Sequence, residues 1–194
     1  MAIHQGNSIF HWNYFIALES DLANLSRFVE FNTGNFRTFS IEIARLLQSA
    51  CSEIDILAYQ LCAHMEPGER VNRIDQYRPI LRPGMPDLES TVVEIPRFGL
   101  TLTPWANWQS DNTPNWWTDH NKVKHRRSEH FEKANLKNLL NASAGLLLLI
   151  VCFYRLTTDI RLLDPPPQLF KLNREFVPVE LILGCGAALV LREK

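Results

Sequence analysis

The sequence predicts a mainly α-helical fold: a four-helix up-down bundle with a small β insertion and an irregular or β C-terminal tail. Two observations indicate the helices. Apolar residues recur at intervals of three and four in the first third of the chain, the period of an amphipathic helix. A polar segment followed by a strongly apolar one occupies residues 114–155. A run of prolines between these regions marks the insertion. A chain of this length is expected to form a single domain, residues 1–194.

The first two predicted helices form an antiparallel hairpin over residues 6–64, because two amphipathic helices joined by a short link bury their apolar stripes together. The first helix is expected to end before residues 33–34, where a glycine is a natural stop. Its stripe is Phe15, Leu18, Leu22, Leu25 and Val29. The second helix is expected to begin near residues 36–40 and to end before Glu66. Its stripe is Ile43, Leu47, Ala50, Ile54, Leu57 and Leu61.

Residues 67–113 form the insertion, which holds seven of the eleven prolines if Pro114 at its border is included. The segment TVVEIPRFGLTLTPW predicts two short strands, residues 92–95 and 100–103, around a Pro-Arg-Phe-Gly turn. Two tryptophans follow, Trp105 and Trp108. Such apolar content is typical of an ordered segment, since disordered linkers lack it.

Two further helices are predicted in residues 114–155. The third opens with Thr113 as N-cap and Pro114 as its first residue. The fourth runs from about Phe131 to Tyr154, and its segment AGLLLLIVCF is apolar all round, as in a buried central helix. That segment is about half as long as a membrane span requires, so no membrane association is expected. In the extension, residues 157–194, two short strands are predicted around residues 184–186.

The composition excludes some classes of protein. With a net charge of −1 the chain is not basic throughout, which argues against a whole-surface nucleic-acid binder but leaves a local basic patch open. The four cysteines lack metal-ligand spacing and lie among apolar residues, which indicates buried, reduced thiols. No glycine-rich phosphate loop or metal-ligand cluster is present, so no cofactor and no metal are expected. Without a secretory signal pattern at the N-terminus, the expected location is cytoplasmic.

The candidate site lies in WWTDHNKVKHRRSEH, residues 116–130, within the third predicted helix. On a helical wheel Asn121, Lys124 and His125 share one face. A histidine can take up and release a proton near neutral pH, a lysine can hold a phosphate, and an amide can orient a ligand. This combination suits cleavage of a phosphodiester by its 2′-hydroxyl without a metal. The alternative is a set of solvated residues on a helix surface.

Basic residues surround these three. Residues 114–137 contain six Lys or Arg and three acidic residues, and the candidates for anion binding are Lys122, Lys124, Arg126 and Arg127. The alternative is again a solvated face. Glu53 lies at the edge of the core stripe of the second helix, where a carboxylate needs a partner. Either Lys124 or His125 could be that partner, or Glu53 could pair with a surface arginine.

Over residues 6–155 the helical hairpin is followed by three segments: VVEIPRFGLTLTPW, NWWTDHNKVKHRR and FEKANLKNLLNASAGLLLLIVCFY. This order resembles the HEPN superfamily (higher eukaryotes and prokaryotes nucleotide-binding). These are small helical bundles, often dimeric, from toxin–antitoxin and anti-phage systems, and many are metal-independent ribonucleases. Their signature is an Arg, a polar residue, a few residues and a His on a helix that faces the dimer mate. Asn121 and His125 match the polar residue and the His, His120 stands at the Arg position, and Lys124 offers a positive charge.

The resemblance implies a ribonuclease, or a degenerate ribonuclease effector of a bacterial toxin–antitoxin or anti-phage system. The implied catalytic residues are His125, Asn121, Lys124 and His120, and the implied assembly is a cytoplasmic homodimer. Two alternatives stay open. The first is a non-enzymatic module that binds a nucleotide, RNA or an antitoxin-like protein partner. The second is a purely structural motif in which Asn121, Lys124 and His125 bond to Glu53 and to backbone, holding the third helix on the second.

Overall fold

A computed structural model describes residues 8–172, which are mainly helical with a small sheet, as predicted. The helices are α1 (Phe10–Leu25), α2 (Ile41–Met65), α3 (Ile74–Gly84), α4 (Asn115–His130) and α5 (Leu136–Thr157). The strands are β1 (Val93–Ile95), β2 (Leu100–Leu102) and β3 (Lys171–Leu172). They form one antiparallel sheet in the order β2-β1-β3.

The predicted hairpin of α1 and α2 is present and antiparallel. The Tyr14 hydroxyl donates to the Ser49 carbonyl at 3.3 Å, and Arg45 donates to Asp21 at 2.8 Å. The residue nearer the C-terminus of α1 therefore contacts the residue nearer the N-terminus of α2, as expected for antiparallel helices. Their facing stripes are buried in one continuous core.

The helix α1 ends earlier than predicted, at Leu25, and the link to α2 is longer than expected. Residues 26–40 turn back so that Phe31 reaches the core, where its ring lies 4.9 Å from that of Phe98 in the insertion. The side chain of Ser40 caps α2 by accepting from the Ile43 N–H. The chain leaves the helix so that Phe31 can be buried, and this long-range contact is not visible in the helical spacing that predicted the end of α1.

The helix α5 lies at the centre, packed against α1, α2 and α4, and confirms the prediction of a buried apolar helix. It is long and apolar enough to cross a membrane by length and composition, yet most of it is buried inside the protein. Its predicted start at Phe131 is wrong: residues 131–133 form a short 3₁₀ turn. The α-helix begins after Asn135, whose side chain accepts from the Asn138 N–H at 3.1 Å.

The insertion contains the predicted hairpin of β1 and β2, with Gly99 in the left-handed region at φ 61°. It also contains α3, which the sequence analysis did not predict, because Pro79 and Pro83 are poor residues for a helix interior. Burial offsets this cost: Tyr77 and Leu81 are buried, and the Tyr77 hydroxyl donates to Asp55 of α2 at 3.0 Å.

The start of the C-terminal extension is held by α1. Both carboxylate oxygens of Glu19, a buried residue, accept backbone N–H bonds from Gln168, Leu169 and Phe170 at 2.8–3.1 Å. The chain then forms β3, which pairs with β1. The strands predicted around residues 184–186 lie outside the described residues.

Candidate functional site

The helix α4 carries the candidate residues and is anchored through tryptophans. It begins at Asn115, so Pro114 occupies the N-cap position and Thr113 is not the capping residue that the sequence suggested. The indole N–H of Trp116 donates to the Pro104 carbonyl at 2.8 Å. This bond fixes the first turn of α4 to the end of the β1–β2 hairpin.

A second tryptophan connects this anchor to α5. The indole of Trp105 lies edge-on to that of Trp116, with centroids 5.2 Å apart, and donates to the Gly145 carbonyl at 3.2 Å. A Cβ atom at Gly145 would lie only 3.3 Å from the Trp105 nitrogen. The glycine therefore permits close packing of the insertion on α5, and α4 is held with it.

A kink interrupts α4 at Arg126, whose φ of −143° and ψ of 55° are not helical. The helical wheel therefore does not extend to Arg127 and beyond, and the predicted face ends at the kink. Asn138 of α5 holds both sides of this break, donating to Asp119 at 3.0 Å and to the Lys133 carbonyl at 2.8 Å. These bonds connect α5 to α4 before the kink and to the 3₁₀ turn that follows α4.

An open groove of about 580 Å³ runs along α4 beside the start of α3; we call it the α4 groove. Its volume is within the range of small-ligand sites. Its lining residues are Ile74, Thr113, Trp117, Thr118, Asn121, Lys122, His125, Arg126 and His130. Elsewhere in residues 8–172, as here, no group of three or more His, Cys, Asp or Glu side chains is placed to hold a metal ion.

The α4 groove contains four of the eight residues singled out from the sequence. Two catalytic candidates, Asn121 and His125, and two binding candidates, Lys122 and Arg126, line it together. His130 lines the groove but is not predicted from the sequence, because the helical wheel places it on another face and the kink before it has no signal in the sequence. The other four candidates lie elsewhere.

The cations of the groove are only weakly paired. Lys122 lies 3.5 Å from Asp119, and Arg126 lies 3.8 Å from Glu129. These contacts are long, and both cationic side chains are exposed, so each pair contributes little and opens at little cost. Lys122 and Arg126 can therefore turn towards an anion in the groove.

Two basic candidates, Lys124 and Arg127, are exposed but do not line the groove. The charge of Lys124 acts instead on Cys51 of α2. Burial raises the pKa of the Cys51 thiol well above its ordinary value, Asp55 adds to this, and Lys124 opposes it. Lys124 thus acts electrostatically on α2 but does not line the α4 groove with Asn121 and His125.

His120 is buried, with 4% of its surface exposed, and packs against Trp117 with ring centroids 5.8 Å apart. Within the described part of the chain, its Nδ1 atom has no hydrogen-bond partner. Burial lowers the pKa of His120 to about 4, with smaller contributions from the charges of Lys124 and His125. At neutral pH His120 is uncharged, so it cannot replace the arginine of the HEPN-like signature.

This burial makes stability depend on pH. The unfolded chain binds a proton at His120 near pH 6.5 and the folded chain only near pH 4, so stability falls as the pH drops between these values. From pH 7.5 to 5 we expect a loss of about 2 kcal/mol from this residue. In urea unfolding at both pH values, His120→Leu should lack that loss, whereas His64→Leu, at an exposed position, should retain it. Equal losses in wild type and His120→Leu would contradict this assignment.

The buried carboxylate of Glu53 has a partner that the sequence analysis did not consider. His11 Nδ1 donates to Glu53 Oε1 at 2.5 Å, and the His11 ring lies edge-on to Phe153, with centroids 5.0 Å apart. Neither the two α4 residues nor a surface arginine is this partner. Glu53 joins α1 to α2 and does not line the α4 groove, so its prediction as a binding residue is not supported by its position.

No protein-family model, curated protein or solved structure matches this chain. The HEPN-like resemblance thus depends on the order of the segments in residues 6–155 and on the short motif in α4, and it stays a prediction.

Proposed function

We propose that the protein binds RNA in the α4 groove. The observation that carries this proposal is that Lys122, Arg126 and His125 line one groove together with the amide of Asn121. Lysine and arginine contacts to phosphates supply most of the affinity of proteins for nucleic acids. An amide can donate to and accept from a base edge or a sugar hydroxyl.

The charge distribution favours a local contact. The chain as a whole carries a net charge of −1, so its full surface does not attract a polyanion. Binding is therefore confined to the place where cations cluster without close acidic partners. The α4 groove is such a place, since its two ion pairs are long and exposed. A short stretch of RNA is a better ligand for it than a long duplex.

The HEPN-like resemblance supports the same ligand. On this proposal, α1, α2, α4 and α5 correspond to the four helices of the predicted HEPN-like bundle, and α3 and the hairpin are additions between its halves. The motif residues Asn121 and His125 lie in the groove. On this basis we extend the proposal to a cytoplasmic homodimer in a bacterial toxin–antitoxin or anti-phage system.

RNA cleavage is a second candidate, favoured because two histidines, His125 and His130, line the same groove. In such a reaction one imidazole takes the proton of the 2′-hydroxyl while its oxygen attacks phosphorus. The bond to the 5′-oxygen breaks, and that oxygen receives a proton from the second imidazole. Lys122 or Arg126 would stabilise the charge on the phosphoryl oxygens, since His120 is neutral.

The test uses a labelled single-stranded RNA in the presence of EDTA. We expect binding to wild type, measured by fluorescence anisotropy. If the second candidate holds, cleavage is visible on gels and His125→Ala lowers its rate by roughly 100-fold or more, the usual contribution of an acid or base. His64→Ala, which removes an exposed histidine outside the groove, should change neither. RNA that stays intact with wild type rejects cleavage, and RNA that does not bind rejects the proposal itself.

A further inference from the structure

The α4 groove has two chemically different ends. At the N-terminal end of α4 its lining is uncharged and includes Thr113, Trp117 and Thr118. The charged and titratable residues, among them His125 and Arg126, follow towards the kink. Eight residues separate Trp117 from His125, which at the helical rise corresponds to about 12 Å. A ligand that fills the groove therefore needs an uncharged part as well as an anionic part.

The tryptophan at the uncharged end differs from its neighbours in bonding. Trp116 donates its indole N–H to Pro104 and Trp105 donates to Gly145. In the part of the chain that the structure describes, the Trp117 N–H has no acceptor, although the residue is only 7% exposed. Trp117 lines the groove, so the part of its side chain that remains exposed is available to a ligand there.

We propose that the α4 groove selects single-stranded nucleic acid by receiving one unpaired base at the Trp117 end. This inference rests on the proposed RNA binding. The base contacts the indole of Trp117 and the apolar side chain of Ile74, while the neighbouring phosphates contact Lys122 and Arg126. In a duplex the bases are stacked and paired, so only the backbone can reach the groove.

The test compares three labelled probes of equal length by anisotropy: a single-stranded oligonucleotide, the same backbone without bases, and a paired duplex. All carry 2′-O-methyl sugars, which cannot be cleaved by attack of the 2′-oxygen. We expect the single strand to bind about tenfold more tightly than the other two, the usual effect of one base on an aromatic side chain.

Two variants locate the base. Trp117→Leu removes the indole and should reduce single-strand binding to the level of the base-free probe. Because this residue is largely buried, thermal unfolding must show that the variant is folded. Thr118→Leu narrows the same end from an exposed position and should have the same effect, whereas Thr101→Leu, at an exposed position of β2 outside the groove, should behave as wild type.

The outcomes separate the inference from the proposed function. Equal binding of all three probes by wild type would overturn base selection and leave RNA binding intact. A single-strand preference that persists in a folded Trp117→Leu and in Thr118→Leu would overturn the placement of the base. Absence of binding to every probe would overturn the proposed function as well.

Discussion

Replacing Lys122 and Arg126 together with glutamate should weaken RNA binding by at least roughly 100-fold, since each charge-assisted hydrogen bond to a phosphate contributes about 1.5–3 kcal/mol. Both side chains line the α4 groove and have only long, exposed acidic partners. Removing them takes away the fixed positive charge of the groove. The reversed charges also repel the phosphates.

A second double variant, in which one other lysine and one other arginine are replaced with glutamate, provides the control. Lys124→Glu/Arg127→Glu changes the net charge equally, in the same segment, at two exposed residues that do not line the groove. We expect it to weaken binding less than tenfold, through long-range repulsion alone. If the two double variants weaken binding equally, affinity depends on net charge and the groove is not the site.

Salt dependence gives an independent measurement on the same proteins. Two phosphate contacts to a single strand correspond to a slope of about −1.4 in log affinity against log salt concentration. The slope should flatten in Lys122→Glu/Arg126→Glu and stay near the wild-type value in the control.

Replacing Glu19 with alanine should lower the free energy of unfolding by about 3–4 kcal/mol. The carboxylate accepts three backbone N–H bonds from residues 168–170, and this contact is buried. Alanine leaves the donors without an acceptor, and each unsatisfied buried group costs about 1–3 kcal/mol, less where water can enter.

Urea unfolding at pH 7 measures this loss, with Glu30→Ala at an exposed site as the control, expected within about 0.5 kcal/mol of wild type. Hydrogen exchange should quicken at residues 168–170 in Glu19→Ala, because their N–H groups lose their acceptor. A single hydrogen bond usually contributes about 1 kcal/mol. If the free energy of unfolding of Glu19→Ala lies within about 1 kcal/mol of the wild-type value, Glu19 does not anchor the extension.

The elements that the sequence predicted well depend on local patterns. The apolar stripes of α1 and α2, the turn with Gly99 between β1 and β2, and the apolar run of α5 each follow from residues close together in the chain. Asn121 and His125 were placed on one face for the same reason, because a four-residue spacing needs only a straight helix.

The predictions that failed required contacts between distant residues. Helix α3 forms despite its two prolines because Tyr77 and Leu81 are buried against the rest of the protein. Glu53 is hydrogen-bonded to His11, 42 positions away in the chain, and not to a residue of α4. No spacing rule connects such residues, because their proximity follows from the packing of whole helices.

Within the segment 116–130, the sequence by itself determined the helix, its basic character and the shared face of Asn121 and His125. The tertiary structure decided which of these residues meet. Packing of α4 against the core buried His120 and lowered its pKa to about 4, and His130, beyond the kink at Arg126, lines the groove. Which side chains are buried, and where a helix breaks, depends on how all the helices pack together in a close-packed core. A local sequence pattern does not contain that information.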